Sequence, residues 1–156
     1  MDVAGPPEVL IEIWEAIEAG TPNFCFESDG KIAFDAPQGF RVRMDIIQIS
    51  SDSAIERIHA TVPFHEGSVA SMSDLVLFRA KTVVERGSDG EVDNLRWLLF
   101  GVAKNGDCLP ELNQEELDNV RTAGETRLGV LDRLVLASVL GLNNGPAALA
   151  LLESIV

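Results

Sequence analysis

The chain has 156 residues, 46% of them hydrophobic and 24% charged, and its 25 acidic against 12 basic side chains give a net charge of −13. That is long enough to bury a core in a single domain without disulfide or metal staples, and too apolar for a disordered chain. The negative field repels phosphate backbones and anionic bilayers, so direct nucleic-acid binding is disfavoured and a basic protein partner is favoured, although acidity also serves solubility alone.

The acid is unevenly placed. Residues 1–40 hold eight acids and one base, residues 41–86 six of each, and residues 87–156 eleven acids and five bases. The opening MDVAGPP has no basic segment leading into an apolar run, so no secretory signal is expected and a reduced, cytoplasmic protein is the default. Cys25 and Cys108 lie far apart without C-x-x-C spacing, which predicts neither a metal site nor a needed disulfide.

In chain order, Pro6 and Pro7 predict a helix start and Gly20 a helix end. Between them Val9, Leu10, Ile13, Trp14 and Ile17 form an apolar stripe at helical spacing, while Glu8, Glu12, Glu15 and Glu18 line the opposite side. No Lys or Arg four residues on relieves the repulsion along that row, which is the pattern of a solvated face or of a surface awaiting basic residues from a partner. Asn23–Glu27 and Lys31–Asp35 flank Ser28-Asp29-Gly30 as a hairpin, with Phe24, Phe26, Ile32 and Phe34 on one face. Phe40, Val42, Met44 and Ile46 alternate with Arg41, Arg43 and Asp45 in a further strand, and the slip to Ile47 and Ile49 suggests a bulge or full burial near Ile46. Ile58, Ala60, Val62 and Phe64 predict a fourth strand, and 65–73 is either a short helix or a loop.

Leu75–Glu85 and Asn94–Lys104, joined by RGSDGEV, are expected to form a long hairpin. Val76 then faces Val102, Phe78 faces Phe100 and Ala80 faces Leu98, with Trp97 beside Arg79 and Lys81 on the other face. A helix is the rival over Leu75–Glu85, but Thr82-Val83-Val84 favours a strand. From Asn113 the pattern turns helical. Asn113 and Glu116 have capping-box spacing, Gly124 and Gly129 interrupt the run, and GLNNGP stops one helix and starts the next at Pro146. Leu134 to Leu152 carries no charge, yet Asn143-Asn144-Gly145-Pro146 in its middle argues against a membrane span and for a helical hairpin buried in a core or a dimer seam.

These elements predict one α+β domain over 1–156. Its parts are an N-terminal helix (1–20), a mostly antiparallel sheet of five to six strands (22–104), and C-terminal helices (113–156) packed on one face of that sheet. In size, acidity and element order the chain resembles, in outline, the small acidic chaperones that escort secreted bacterial effectors.

Catalytic signals are thin. There is no G-x-G-x-x-G, P-loop or G-x-S-x-G; His65-Glu66-Gly67 lacks the second histidine of a zinc-protease motif; and Asp89, Glu91 and Asp93 lack calcium-loop spacing. The leading expectation is a non-catalytic interaction protein (adaptor, immunity-type inhibitor or secretion-chaperone-like) that meets a basic protein through Glu8, Glu12, Glu15 and Glu18. It carries no cofactor or metal, and its C-terminal helices could form the seam of a homodimer. The alternative is a small-ligand-binding or hydrolytic domain with a pocket between sheet and C-terminal helices, using Cys25, His59, His65 and Trp97.

Overall fold

The computed structural model describes residues 1–53, 55–64 and 67–155. The chain divides into two compact units, Met1–Arg57 and Ile58–Val156. Among the described residues it is an α+β protein with six α-helices and two sheets, one of four strands and one of two.

In the first unit, β1 (Asp2–Gly5) leads into α1 (Pro7–Glu18), and β2 (Phe24–Phe26), β3 (Ile32–Asp35) and β4 (Arg41–Gln48) follow. Pro7 sits in the first turn of α1, where its missing N–H costs nothing, and Gly20 at φ +93° lets the chain leave the helix. The sheet order is β1-β4-β3-β2, with β2, β3 and β4 antiparallel and β1 parallel to β4. Residues 41–44 of β4 pair with β3, whereas 45–48 pair with β1. The slip of alternation after Ile46 therefore follows the handover from one partner strand to the other. One sheet face carries Phe24, Phe26, Ile32, Phe34, Val42 and Met44, which pack with Ile13 and Ile17 of α1. Trp14 lies on Phe26 with ring centroids 4.3 Å apart.

The second unit opens with β5 (Thr61–Phe64) and β6 (Gly67–Ala70), a separate antiparallel pair. Five helices follow: α2 (Met72–Glu85), α3 (Asp89–Asn105), α4 (Gln114–Arg127), α5 (Val130–Leu140) and α6 (Gly145–Glu153), the last two separated by a 3₁₀ turn at Leu142–Asn144. Their core is built by helix on helix: Val76, Leu77, Ala80 and Val83 from α2, Leu95, Leu98, Leu99 and Val102 from α3, Val120 and Ala123 from α4, Leu136, Val139 and Leu140 from α5, and Leu151 from α6.

This corrects the expected sheet. The five-to-six-stranded antiparallel sheet over 22–104 is a mixed four-stranded sheet and a separate two-stranded one, and the long hairpin at 75–104 is the helix pair α2–α3. The buried positions 76, 77, 80, 83 and 95, 98, 99, 102 recur every three or four residues, the helical period. Both starts are capped. The Asp74 N–H donates to Ser71 Oγ at 3.1 Å and the Glu91 N–H to Ser88 Oγ at 3.4 Å. Two caps and a four-position stripe outweigh three β-branched residues, whose helix cost is a few tenths of a kcal/mol each. Trp97 consequently stands 70% exposed, while Arg79 pairs with Glu91 and Lys81 with Glu115. Within 65–73, expected to be a short helix or a loop, Gly67–Ala70 forms strand β6 and Met72 begins α2, and the strand expected over 58–64 begins only at Thr61.

The capping box at Asn113 and Glu116 forms as read, and Pro146 opens α6. Gly124 does not break α4. A Cβ there would come within 2.9 Å of Leu136 and 3.1 Å of Leu151, so it is a point of close helix approach. Among the described residues no single helix is long and apolar enough to cross a membrane, and α5 meets the following helical segment at 101°.

Candidate functional site

Glu8, Glu12, Glu15 and Glu18 all lie exposed on α1, as their spacing requires once Ile13 and Ile17 turn toward the sheet. The same surface exposes Ile11 at 56% and Trp14 at 40%. Ile11 stands one turn from Glu8 and from Glu15 and two turns from Glu18, so acids bracket it along the helix. The Trp14 indole N–H donates to Glu18 Oε1 at 3.2 Å while its ring rests on Phe26, which fixes both side chains. None of the four glutamates forms an ion pair among the described residues. Ile11 lies outside the apolar stripe of α1; an isoleucine among glutamates was the available signal for this patch.

The sheet face carrying Arg41 and Arg43 behaves in the opposite way, because nearly every charge on it is matched. Arg41 grips Asp35 with two hydrogen bonds of 2.6 and 2.8 Å and reaches Glu27 at 3.5 Å. Arg43 bonds Glu27 and, at 2.6 Å, Asp29; Lys31 pairs with Asp45 at 2.5 Å. The Lys31 backbone N–H and then the Arg43 guanidinium hold the Asp29 carboxyl below its usual range, Arg41 does the same to Asp35, and Lys31 to Asp45. Both guanidiniums are shifted upward by the same contacts.

Because the folded-state values of these three carboxyls lie below the unfolded ones, the stability they contribute is present above about pH 4 and is lost as pH falls through the folded values. The denaturant midpoint is therefore expected to fall on acidification below about pH 4, and to fall less steeply in an R41Q/R43Q variant. Superimposable acid limbs for the two proteins would contradict this role of the lattice. Between the arginines and the β2–β3 turn lies an open depression of about 350 Å³ lined by Cys25, Phe26, Glu27, Ser28, Asp29, Arg41 and Arg43.

The residues of the alternative pocket are placed as follows. Cys25 belongs to the first unit, half-buried on β2. His59 and Trp97 belong to the second, and His65 lies outside the described residues. The His59 ring Nε2 is 2.9 Å from Glu116 Oε1, a carboxylate-oriented imidazole. The other oxygen of Glu116 accepts the Asn113 N–H at 2.8 Å, and the His59 backbone N–H donates to Asp74 at 2.8 Å. The pair thus links the caps of α2 and α4. Trp97, on α3, makes no hydrogen bond or ring contact among the described residues. No cluster of three or more His, Cys, Asp or Glu suited to a metal ion occurs among the described residues.

Three buried polar groups escaped the sequence reading, one of them Asp132 on α5, which pairs with Arg96 at 3.0 Å. Asp74 is fully buried and accepts from the His59 and Ala60 N–H groups and the Ser71 hydroxyl; the spacing Ser71-x-x-Asp74 was the signal. Asn144 is 4% exposed and bonds the backbone of Pro110, Leu112 and Leu140. No family model, no curated protein and no solved structure matches this chain.

Proposed function

We propose that this chain is a non-catalytic, acidic protein-interaction module, of adaptor, inhibitor or chaperone type, that receives a basic partner on α1. The observation that carries the reading is the contrast within the first unit. Glu27, Asp29, Asp35 and Asp45 on the β2–β4 sheet face are matched by Arg41, Arg43 and Lys31, whereas Glu8, Glu12, Glu15 and Glu18 have no cationic partner among the described residues and flank exposed Ile11 and Trp14. An apolar anchor ringed by one sign of charge suits an amphipathic segment bearing lysine or arginine beside an apolar side chain. The anchor gives affinity through desolvation, and the charges give encounter rate and selectivity.

The test uses Trp14 as its own reporter. In a Trp97→Phe background, titration with a lysine- and arginine-rich amphipathic peptide is expected to change Trp14 emission and to weaken steadily as salt rises, because exposed charges are screened over about 8 Å at physiological ionic strength. Glu12→Lys with Glu15→Lys is expected to weaken binding by about tenfold or more while the circular dichroism spectrum is unchanged. Equal affinity of the reversed variant, or salt-independent binding, would remove α1 from the interaction.

A further inference from the structure

We propose that the open edge of β6 receives an extended segment of a partner protein, which adds to the β5–β6 ribbon as a third strand. The pairing of the ribbon fixes which backbone groups face outward. The Ser71 N–H donates to the Ala60 carbonyl at 2.9 Å, so positions 60 and 71 turn toward each other. Hydrogen-bonded pairs recur at every second position of an antiparallel ladder, here Val62 with Val69 and Phe64 with Gly67. Thr61 and Pro63 of β5, and Ser68 and Ala70 of β6, therefore turn their backbone groups away from the ribbon.

The two edges are not alike. Pro63 has no N–H to offer and sets its ring on the β5 edge, which blocks a further strand there. The β6 edge presents the N–H and C=O of Ser68 and those of Ala70, none of which has a hydrogen-bond partner among the described residues. No proline, bulge or ionisable side chain guards Gly67–Ala70, although those are the devices that keep edge strands from pairing.

Backbone chemistry selects the occupant. Two donor–acceptor sets about 7 Å apart along a strand match extended backbone, whereas a helix satisfies its N–H and C=O groups internally. The ribbon itself is incomplete, because two strands alone are marginally stable and all of β5 and Gly67–Val69 of β6 are exposed. Val62 at 51% and Val69 at 48% share one face, so the segment that fits carries a β-branched or aromatic side chain opposite Val69. Small polar residues then fall opposite Ser68 and Ala70. Neither strand carries a charge, which separates this edge from the acidic surface of α1.

Amide exchange and chemical shifts of the isotope-labelled full chain test the edge directly. In the free chain the Ser68 and Ala70 amides are expected to exchange rapidly, and the Val69 amide, inside the ladder, more slowly. The probe is an uncharged, acetylated and amidated peptide of alternating valine and threonine. It is expected to shift the Ser68 and Ala70 amide resonances and to slow their exchange, with an affinity that does not change with salt. N-methylation of its threonines, whose N–H groups face Ser68 and Ala70, keeps every side chain and is expected to weaken binding about tenfold or more. N-methylation of its valines, whose N–H groups face away, is expected to leave binding unchanged. Ser68→Pro removes one outward N–H and no ladder bond, and is expected to bind the parent peptide about tenfold more weakly. Equal effects of the two methylations, or no response to the parent peptide, would overturn the proposal. So would Ser68 and Ala70 amides that are protected in the dilute free chain, or that become protected on raising the chain concentration alone, which would put a second copy on the edge. None of these outcomes bears on whether Glu12 and Glu15 hold a basic partner.

Discussion

Replacing Asp74 by alanine is expected to cost about 3–4 kcal/mol and to lower the melting temperature by roughly 15 °C or more, given about 4–8 °C per kcal/mol for a unit of this size. The carboxylate is wholly buried at the start of α2. It accepts from the His59 N–H at 2.8 Å, the Ala60 N–H at 3.0 Å and the Ser71 hydroxyl at 2.6 Å. A negative group in the first turn also lies at the positive end of the helix dipole. Alanine takes the acceptor from the N–H groups of half-buried His59 and exposed Ala60 and from the Ser71 hydroxyl, and hydrogen bonds to a charged group contribute about 1.5–3 kcal/mol each before water replaces them. Ser71→Ala removes the cap bond from the Asp74 N–H and the hydroxyl bond to the Asp74 carboxylate but leaves the His59 and Ala60 N–H groups their acceptor, and is expected to lose about 1–2 kcal/mol, so thermal unfolding of the two variants should still separate. If Asp74→Ala melts within a few degrees of wild type, the carboxylate does not clamp residues 59–60 onto α2.

The second large effect is expected at Asn144. Its carbonyl oxygen accepts the Leu112 N–H at 3.1 Å, and its amide donates to the carbonyls of Pro110 at 2.9 Å and Leu140 at 3.0 Å. One side chain thereby satisfies the connector after α3 and the last turn of α5, beside a chain reversal in which Gly141 takes φ +63° and a Cβ would press on Cys108. Asn144→Ala is expected to cost about 3 kcal/mol through the orphaned backbone groups. Asn144→Asp is the sharper test. Aspartate keeps the acceptor but turns a carboxylate oxygen toward two carbonyls, so at neutral pH it should be less stable than alanine, and acidification that protonates it should narrow the gap. Chemical denaturation at neutral and acid pH measures both. An Asn144→Asp variant more stable than Asn144→Ala at neutral pH would contradict the assigned bonds.

The first unit was legible because local signals and tertiary pairing agree there. Pro7, Gly20, the Ser28-Asp29-Gly30 turn and the alternation of Phe24, Phe26, Ile32 and Phe34 with polar residues each point to the element that forms. Strand β1 was not legible, since Asp2–Gly5 is short and pairs in parallel with residues 45–48, a partnership that no local pattern reports. The α2–α3 pair was misread for a different reason. Opposing positions of two helices and of two strands can both align apolar residues, and Val76, Ala80, Leu98 and Val102 fit either arrangement. The deciding residues were Ser71 with Asp74 and Ser88 with Glu91, whose cap spacing belongs only to a helix. The acidic row of α1 was readable from spacing, but the exposure of Ile11 beside it depended on which face the sheet would bury.

The most direct measurement of the proposed role is quantitative capture from host lysate. Wild-type chain would be compared at low and high salt with a variant carrying Glu8→Lys, Glu12→Lys, Glu15→Lys and Glu18→Lys. The expected result is a specific basic protein retained by the wild type, released as salt rises and missing from the variant. A partner held equally by both proteins, or one that resists salt, would contradict an α1 surface built for a basic partner.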